Sequence, residues 1–288
     1  MVWNPFRRRP VKLGLALGSG GAKGMAHVGA LKAFSEYGIE FDIVTGTSIG
    51  SIVGAAYADG MNWQEIYNKV SEVDLSSVRK KGILAQLTMT DSERVTDVVS
   101  GVFGAEKNIE DLKKPFAAVS VNLKTGEEVV LTKGNLAKSV TASSAIAPVF
   151  SPVVMDDKHL IDGAYLNPIP ADVARALGAD VVIAIDLSSK KSATTESLRL
   201  FDVLIASVKI AMRNARYKGY HNSNVVIHPD LNGFKATKFD RLDEMFEVGY
   251  QEAIARMPEI LEVLRAHHIK VGAGYGNKKK QKKEKSAN

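Results

Sequence analysis

Ser48 lies in Gly46-Thr-Ser-Ile-Gly50, the spacing G-x-S-x-G, with the apolar run "FDIVTG" leading into it and the helix-like "IGSIVGAAYADG" leading away. That is the pattern of a nucleophile elbow. A sharp strand-to-helix turn lifts a serine Oγ above a sheet, and the flanking glycines remove Cβ atoms that would collide. The serine also starts a helix, whose dipole favours developing negative charge at that end. A serine so placed can perform acyl transfer, provided a group accepts its proton and two or more N–H groups receive the oxyanion. Alone, the five residues also describe an ordinary helix start; the strand before and helix after favour catalysis.

The stretch "LGLALGSGGAKGMAHVG", Leu13 to Gly29, is a second glycine-rich end of an apolar run. Gly18, Gly20 and Gly24 fit a variant of the dinucleotide fingerprint, G-x-G-x-x-x-G. A dinucleotide fold would also place an acid at the carboxyl end of the second strand, and Thr45-Gly46 stand there, with Asp42 at the wrong end. The phosphate-loop pattern fails as well, because Lys23 precedes Gly24. Beside an elbow the glycines have another use: Gly20 and Gly21 can present bare backbone amides to an oxyanion. Tight strand-to-helix packing is the plainer alternative.

The base has two candidate sources. The histidines are His27, His159, His221, His228, His267 and His268. The pair in "RAHHIK" suits the order serine, acid, histidine, yet it sits near the end of a long helix, where histidines commonly meet terminal carbonyls. The other source is "DGAYLNP", Asp162 to Pro168, directly after the apolar "HLI", where a carboxylate would take the serine proton itself. Asp-Gly is also a turn signal.

These blocks together resemble the patatin-like phospholipase family, of the bacterial kind: "GSGGAKG", "GTSIG" and "DGAYLNP", in that order, joined by "ASSAIAPVFSPV". The resemblance runs from about Leu13 to Asp186. It implies a three-layer α/β/α fold with a mainly parallel central sheet. It further implies Ser48 as nucleophile and Asp162 as base of a Ser-Asp dyad, with oxyanion amides from Gly20, Gly21 and Ala22. Gly46, Gly50 and Gly163 complete the motifs. Ser19 and Ala164 stand where the family often has glycine, two small departures. Lys23 reads as structural. The expected activity is hydrolysis of lipid carboxylic esters through an acyl-enzyme, with no metal or cofactor. A silent lipid-binding module and a dinucleotide-binding protein are the alternatives.

The elements that must position these residues follow from periodicity. Val11 to Leu17 reads as a buried strand and Ala22 to Tyr37 as a helix stopped by Gly38. Thr90 and Glu93 suggest a capping box for a helix over Ser92 to Phe103. "PFAAVSVNL" and "EEVVLT" form a strand pair, "LAKSVTASSAI" a helix, and "SPVVMDDKHLIDGAYLNP" a hairpin turning at Asp156-Asp157. "DVVIAIDL" and "NVVIHP" are further strands. Glu196 to His221, carrying Arg199, Lys209, Arg213, Arg216 and Lys218, is a long amphipathic helix, and Arg241 to His268 another. Alternating strands and helices predict a parallel sheet with sites at the strands' carboxyl ends. The long basic helix and the loop "GILAQLTM" are candidate walls for an acyl-chain groove, with ordinary core packing the plainer reading of the helix's apolar face.

The 288 residues are 45% hydrophobic, enough for a real core, and contain no cysteine, which excludes thiol nucleophiles, thiolate metal sites and disulfides. The net charge of +6 resides at the ends: Arg7 to Arg9, and a tail from Asn277 with six lysines and one glutamate. The body between is slightly acidic. Nucleic acid is therefore not expected; the basic ends are solvated or touch an anionic membrane. Residues 1–10 read as a basic extension, 11–276 as one hydrolase domain and 277–288 as a lysine-rich tail. No apolar run approaches the roughly 18 residues of a membrane span, and Val11 to Leu17 is too short for a signal peptide's apolar region. A cytoplasmic protein, with peripheral contact at the inner membrane face, is expected.

Overall fold

The computed structural model describes residues 9–72, 90–189 and 199–272. The "GILAQLTM" loop, the lysine tail, Arg7 and Arg8 lie outside them. The strands are β1 (Leu13–Leu17), β2 (Ile43–Thr47), β3 (Phe116–Asn122), β4 (Glu127–Leu131), β5 (Val153–Met155), β6 (Lys158–Asp162), β7 (Val181–Ile185) and β8 (Val225–Ile227). The helices are α1 (Met25–Glu36), α2 (Ile49–Ala58), α3 (Trp63–Glu72), α4 (Ser92–Phe103), α5 (Leu136–Ser144), α6 (Ala171–Ala176), α7 (Leu200–Asn222) and α8 (Leu242–Ala266).

All eight strands join one sheet. β8, β7, β1, β2 and β3 run parallel to their neighbours, while β4, β5 and β6 are added antiparallel. β1 and β7 are buried at every residue, which is why they read as unbroken apolar runs rather than alternating ones. The sheet's two faces differ in size. Leu13, Leu15 and Leu17 pack with Met25 and Phe34 of α1 and Val53 of α2 on one side. Ala16, Val182 and Ala184 pack against Ile169 and α6 on the other, where α7 contributes Tyr220. Helices thus cover both faces, giving an α/β three-layer arrangement.

The register around β3 positions the site. β4 pairs with Ala118 to Asn122, β2 with Phe116 to Val119, and β6 with Ser120 to Asn122. A strand has two hydrogen-bonding edges. Because β4 overlaps both β2 and β6 along β3, the latter two must share its opposite edge. There β2 runs forward and ends at Thr47, opposite Val119, while β6 runs backward and ends at Asp162, opposite Ser120. The two strands meet head to head, and the residues at the junction are Ser48 and Asp162.

Local expectations needed three adjustments: the first helix, expected from Ala22, begins at Met25 behind a tighter turn over Gly21–Gly24. The β5–β6 turn at Asp156-Asp157 has both residues at positive φ (46° and 59°), as a two-residue hairpin turn requires. The cap of α4, however, is Asp91, whose side chain accepts from the Glu93 amide at 3.0 Å, and not Thr90. Thr90 is drawn away because its backbone bonds Val149 and Ser151, each at 2.8 Å. The long basic helix begins at Leu200; residues 190–198 lie outside the described residues.

The elbow helix sits so close to β1 that a Cβ on Gly50 would overlap the Leu17 carbonyl. Gly50→Ala should therefore lower unfolding stability by about 3 kcal/mol or more, since backbone must move. Gly101, in the last turn of α4 with nothing within 4 Å of its would-be Cβ, is the control: Gly101→Ala should gain up to about 1 kcal/mol. Denaturant midpoints of the two variants read both effects.

Candidate active site

Ser48 is held in a conformation that a non-glycine residue rarely takes, φ 57° and ψ −130°. Both of its peptide groups are tied. Its N–H donates to Ser143 Oγ at 3.0 Å, and that hydroxyl donates onward to the Val119 carbonyl at 2.6 Å. Its carbonyl accepts from Ser51 Oγ at 2.6 Å. Gly46 lets the turn close, because a Cβ there would strike the Gly50 carbonyl. The side chain, half-exposed, points to the sheet's carboxyl edge at the start of α2.

Asp162 is buried at the end of β6. Its carboxylate accepts from the Ala164 amide at 2.9 Å and meets the Ser48 side chain at the strand junction. Burial pushes its pKa up to about 6, and the Ser48 hydroxyl and the Ala164 amide work against the rise. Gly163 rests on the Val119 carbonyl so closely that no side chain would fit. The Ala164 methyl is itself fully buried, so alanine serves where the family often has glycine. Tyr165 donates to the Ala147 carbonyl at 2.7 Å, and burial, then the neighbouring Asp162 charge, raises its pKa to about 12.

The glycine turn lies beside the elbow: β1 pairs with β2, and a Cβ on Gly24 would collide with Ile49. Gly18 donates to Ile185 O at 2.9 Å and Ser19 to Pro168 O at 3.0 Å. Buried His27 sets its Nε2 2.8 Å from the Gly18 carbonyl, and burial lowers its pKa to about 4, so the ring is neutral and donates. Gly21 has φ +59°, with the Ala236 carbonyl packed where a side chain would go. The same carbonyl accepts the Ala22 N–H at 2.8 Å. Of the three amides expected to face an oxyanion, Ala22 is thereby already engaged. Those of Gly20 and Gly21 have no acceptor among the described residues. Lys23 is buried and donates to Ser189 Oγ at 2.7 Å.

A family model described as patatin-like phospholipase matches residues 15–175, more than half of the chain. The chain belongs to the patatin-like phospholipase family. Among its patatin-like relatives, patatin-like phospholipase domain-containing protein 7 of Rattus norvegicus is 30% identical over 283 residues, covering 84% of this chain and 20% of the relative. The corresponding protein 6 of Homo sapiens is 31% identical over 271 residues, covering 83% and 20%. Lysophospholipase nte1 of Aspergillus fumigatus is 27% identical over 269 residues, covering 83% and 18%. The chain thus spans about a fifth of the length of these relatives. The patatin-like fold recurs in the crystal structure of VipD from Legionella pneumophila, with TM-score 0.57 at 13% identity, covering 87% of this chain and 67% of that one.

Two supports of this patatin-like site escaped the sequence reading. Ser143 lies in "TASSAI", where three hydroxyl residues in four obscure the one that matters; its place at the penultimate position of α5 was the available signal. The second is a clamp. Thr45 and Thr47, on the face of β2 turned toward α6, donate to the carbonyls of Pro170 and Asn167, each at 2.8 Å. The "LNP" of the aspartate block is thus fastened to the elbow strand. His267 and His268 lie elsewhere. They follow α8, close to where Gly272 donates to Gly38 O at 2.8 Å, past the far end of α1 from the elbow.

Two stability measurements follow. Ser143→Ala leaves the buried Ser48 N–H and Val119 carbonyl short of a partner and should cost about 1–3 kcal/mol. Asp162 has a folded pKa above its unfolded one, so its protonation stabilises the fold fully below about pH 3.8. That contribution is lost as pH rises through about 6. At pH 7 the ionised carboxylate costs on the order of 2–3 kcal/mol, so Asp162→Asn should unfold at higher denaturant than wild type at pH 7. Its advantage should fade below about pH 4. His27 titrates over an overlapping range with opposite sign in both proteins, so their difference isolates Asp162.

Proposed function

We propose that this chain is a lipid acyl hydrolase of the phospholipase or lysophospholipase type, working through Ser48 and Asp162. The observation that carries the reading is the strand junction that sets Ser48 beside buried Asp162, whose pKa burial raises to about 6. Burial raises basicity while leaving the group ionised at neutral pH, which suits a general base that acts without an imidazole. The names of the relatives, among them a lysophospholipase, support the substrate class.

In this mechanism Asp162 takes the hydroxyl proton as Ser48 Oγ attacks the ester carbonyl carbon. The carbonyl oxygen becomes an oxyanion and accepts from the Gly20 and Gly21 amides. The tetrahedral intermediate collapses, the alcohol leaves with the proton from Asp162, and an acyl-serine remains. Water then loses a proton to Asp162 and attacks the acyl carbonyl; the acid departs and Ser48 regains its proton. Every group in the cycle comes from the chain itself. The raised φ of Ser48 keeps the oxygen clear of its own peptide, and the Ser143 hydrogen bond holds that geometry between turnovers. The inner face of the membrane, met partly through the basic ends, is the proposed place of work.

Hydrolysis of p-nitrophenyl esters and lysophospholipids tests the assignment. Ser48→Ala and Asp162→Asn should each lower kcat/KM by about 10³-fold or more with the fold intact, while His267→Ala and His268→Ala leave it unchanged. Because only ionised Asp162 accepts a proton, kcat/KM should climb with pH and level off above an apparent pKa near 6. Wild-type turnover by Asp162→Asn would sink the dyad.

A further inference from the structure

α7 carries a line of apolar residues that no described residue covers, with exposed Ser207 and Asn214 set between them. Val203, Ile210 and Tyr217 are 39%, 62% and 63% exposed, and their seven-residue spacing, close to two helical turns, sets them along one line about 21 Å long. The opposite side of the helix faces the protein: Gly219 packs against the Ile169 backbone, leaving no room for a Cβ. The stripe therefore points straight away from the body. The helix and its N-cap hold five Lys and Arg residues, Arg199 to Lys218, against one acid, Asp202. Arg216 and Lys218 turn inward to Asp186, and to Glu128 and Asp172. Arg199 and Arg213, each also engaged within the protein, keep exposed side chains on the outer half of the helix with the stripe. α7 also packs on the Gly163–Tyr165 turn that follows Asp162, where Leu166 is a further exposed apolar residue.

An apolar line flanked by arginines is the composition of a helix that lies in a lipid interface. We propose that the outer face of α7 docks this protein on an anionic bilayer. Val203, Ile210 and Tyr217 enter the headgroup boundary, and Arg199 and Arg213 meet lipid phosphates. The inference deepens the lipid-ester reading of the Ser48 site, since it would bring the turn that carries Asp162 to the membrane surface. It differs from attraction through the charged ends in requiring apolar contact, which salt does not screen.

The test is partition of the full chain onto phosphatidylcholine vesicles containing phosphatidylglycerol, in low salt and near 1 M salt, where charge attraction reaches only about 3 Å. Ile210→Asp combined with Tyr217→Asp should lower partition at least about tenfold in high salt. Arg213→Glu should lower it about fivefold in low salt. Both variants should keep wild-type kcat/KM on a water-soluble p-nitrophenyl ester. Partition that ignores the Ile210 and Tyr217 changes overturns the docking face. So does a wild-type dimer in solution that these changes dissociate, because the stripe would then belong to a second copy. If the soluble ester is not hydrolysed yet partition still depends on the stripe, the catalytic reading fails and the docking face stands.

Discussion

One peptide carbonyl, that of Val119, ties the site together. It receives the Ser143 hydroxyl that fixes the amide of Ser48, the proposed nucleophile, and Gly163, the residue after the proposed base, lies against it. Val119 and its neighbour Ser120 also mark where β2 and β6 end against the same edge of β3. Two side chains separated widely in sequence are brought together by consecutive residues of one strand. Such placement is stiffer than loops would allow, because it is set by ladder hydrogen bonds on a strand buried at every residue.

The second constraint is desolvation. The burial that makes Asp162 basic also makes its ionised form costly, so the fold must outweigh a buried carboxylate that forms no ion pair among the described residues. It does so with dense small-residue packing around the junction. Glycines at 46, 50 and 163 bring backbone against backbone, and Ser143 and Thr47 satisfy carbonyls that this approach would strand. Sites commonly carry such local strain where surrounding packing over-determines it.

How much of this was legible in the sequence depended on whether the information was local. The elbow, the glycine turn and the Asp-Gly block are short motifs with fixed chemistry, and the unbroken apolar runs of β1 and β7 announce a sheet covered on both faces. What sequence could not reveal is pairing. Nothing in "HLID" says that its strand runs against β2 rather than beside it, and nothing in "TASSAI" distinguishes Ser143 from its neighbours. The engagement of Ala22 by Ala236 is likewise a contact between distant segments. Thr90 lost its capping role for the same reason: a bridge to Phe150 outcompeted a purely local signal.

The head-to-head meeting of β2 and β6 has a consequence for synthesis. A ribosome releases the elbow early, with β1, β2 and α2, but the carboxylate follows only after β3 and the β5–β6 hairpin have emerged. Until that hairpin inverts and seats itself on β3, Ser48 stands without the carboxylate that meets it in the finished sheet. A nascent or truncated chain would thus display the elbow alone, and on the proposed mechanism competence toward esters would arrive late, together with closure of the sheet.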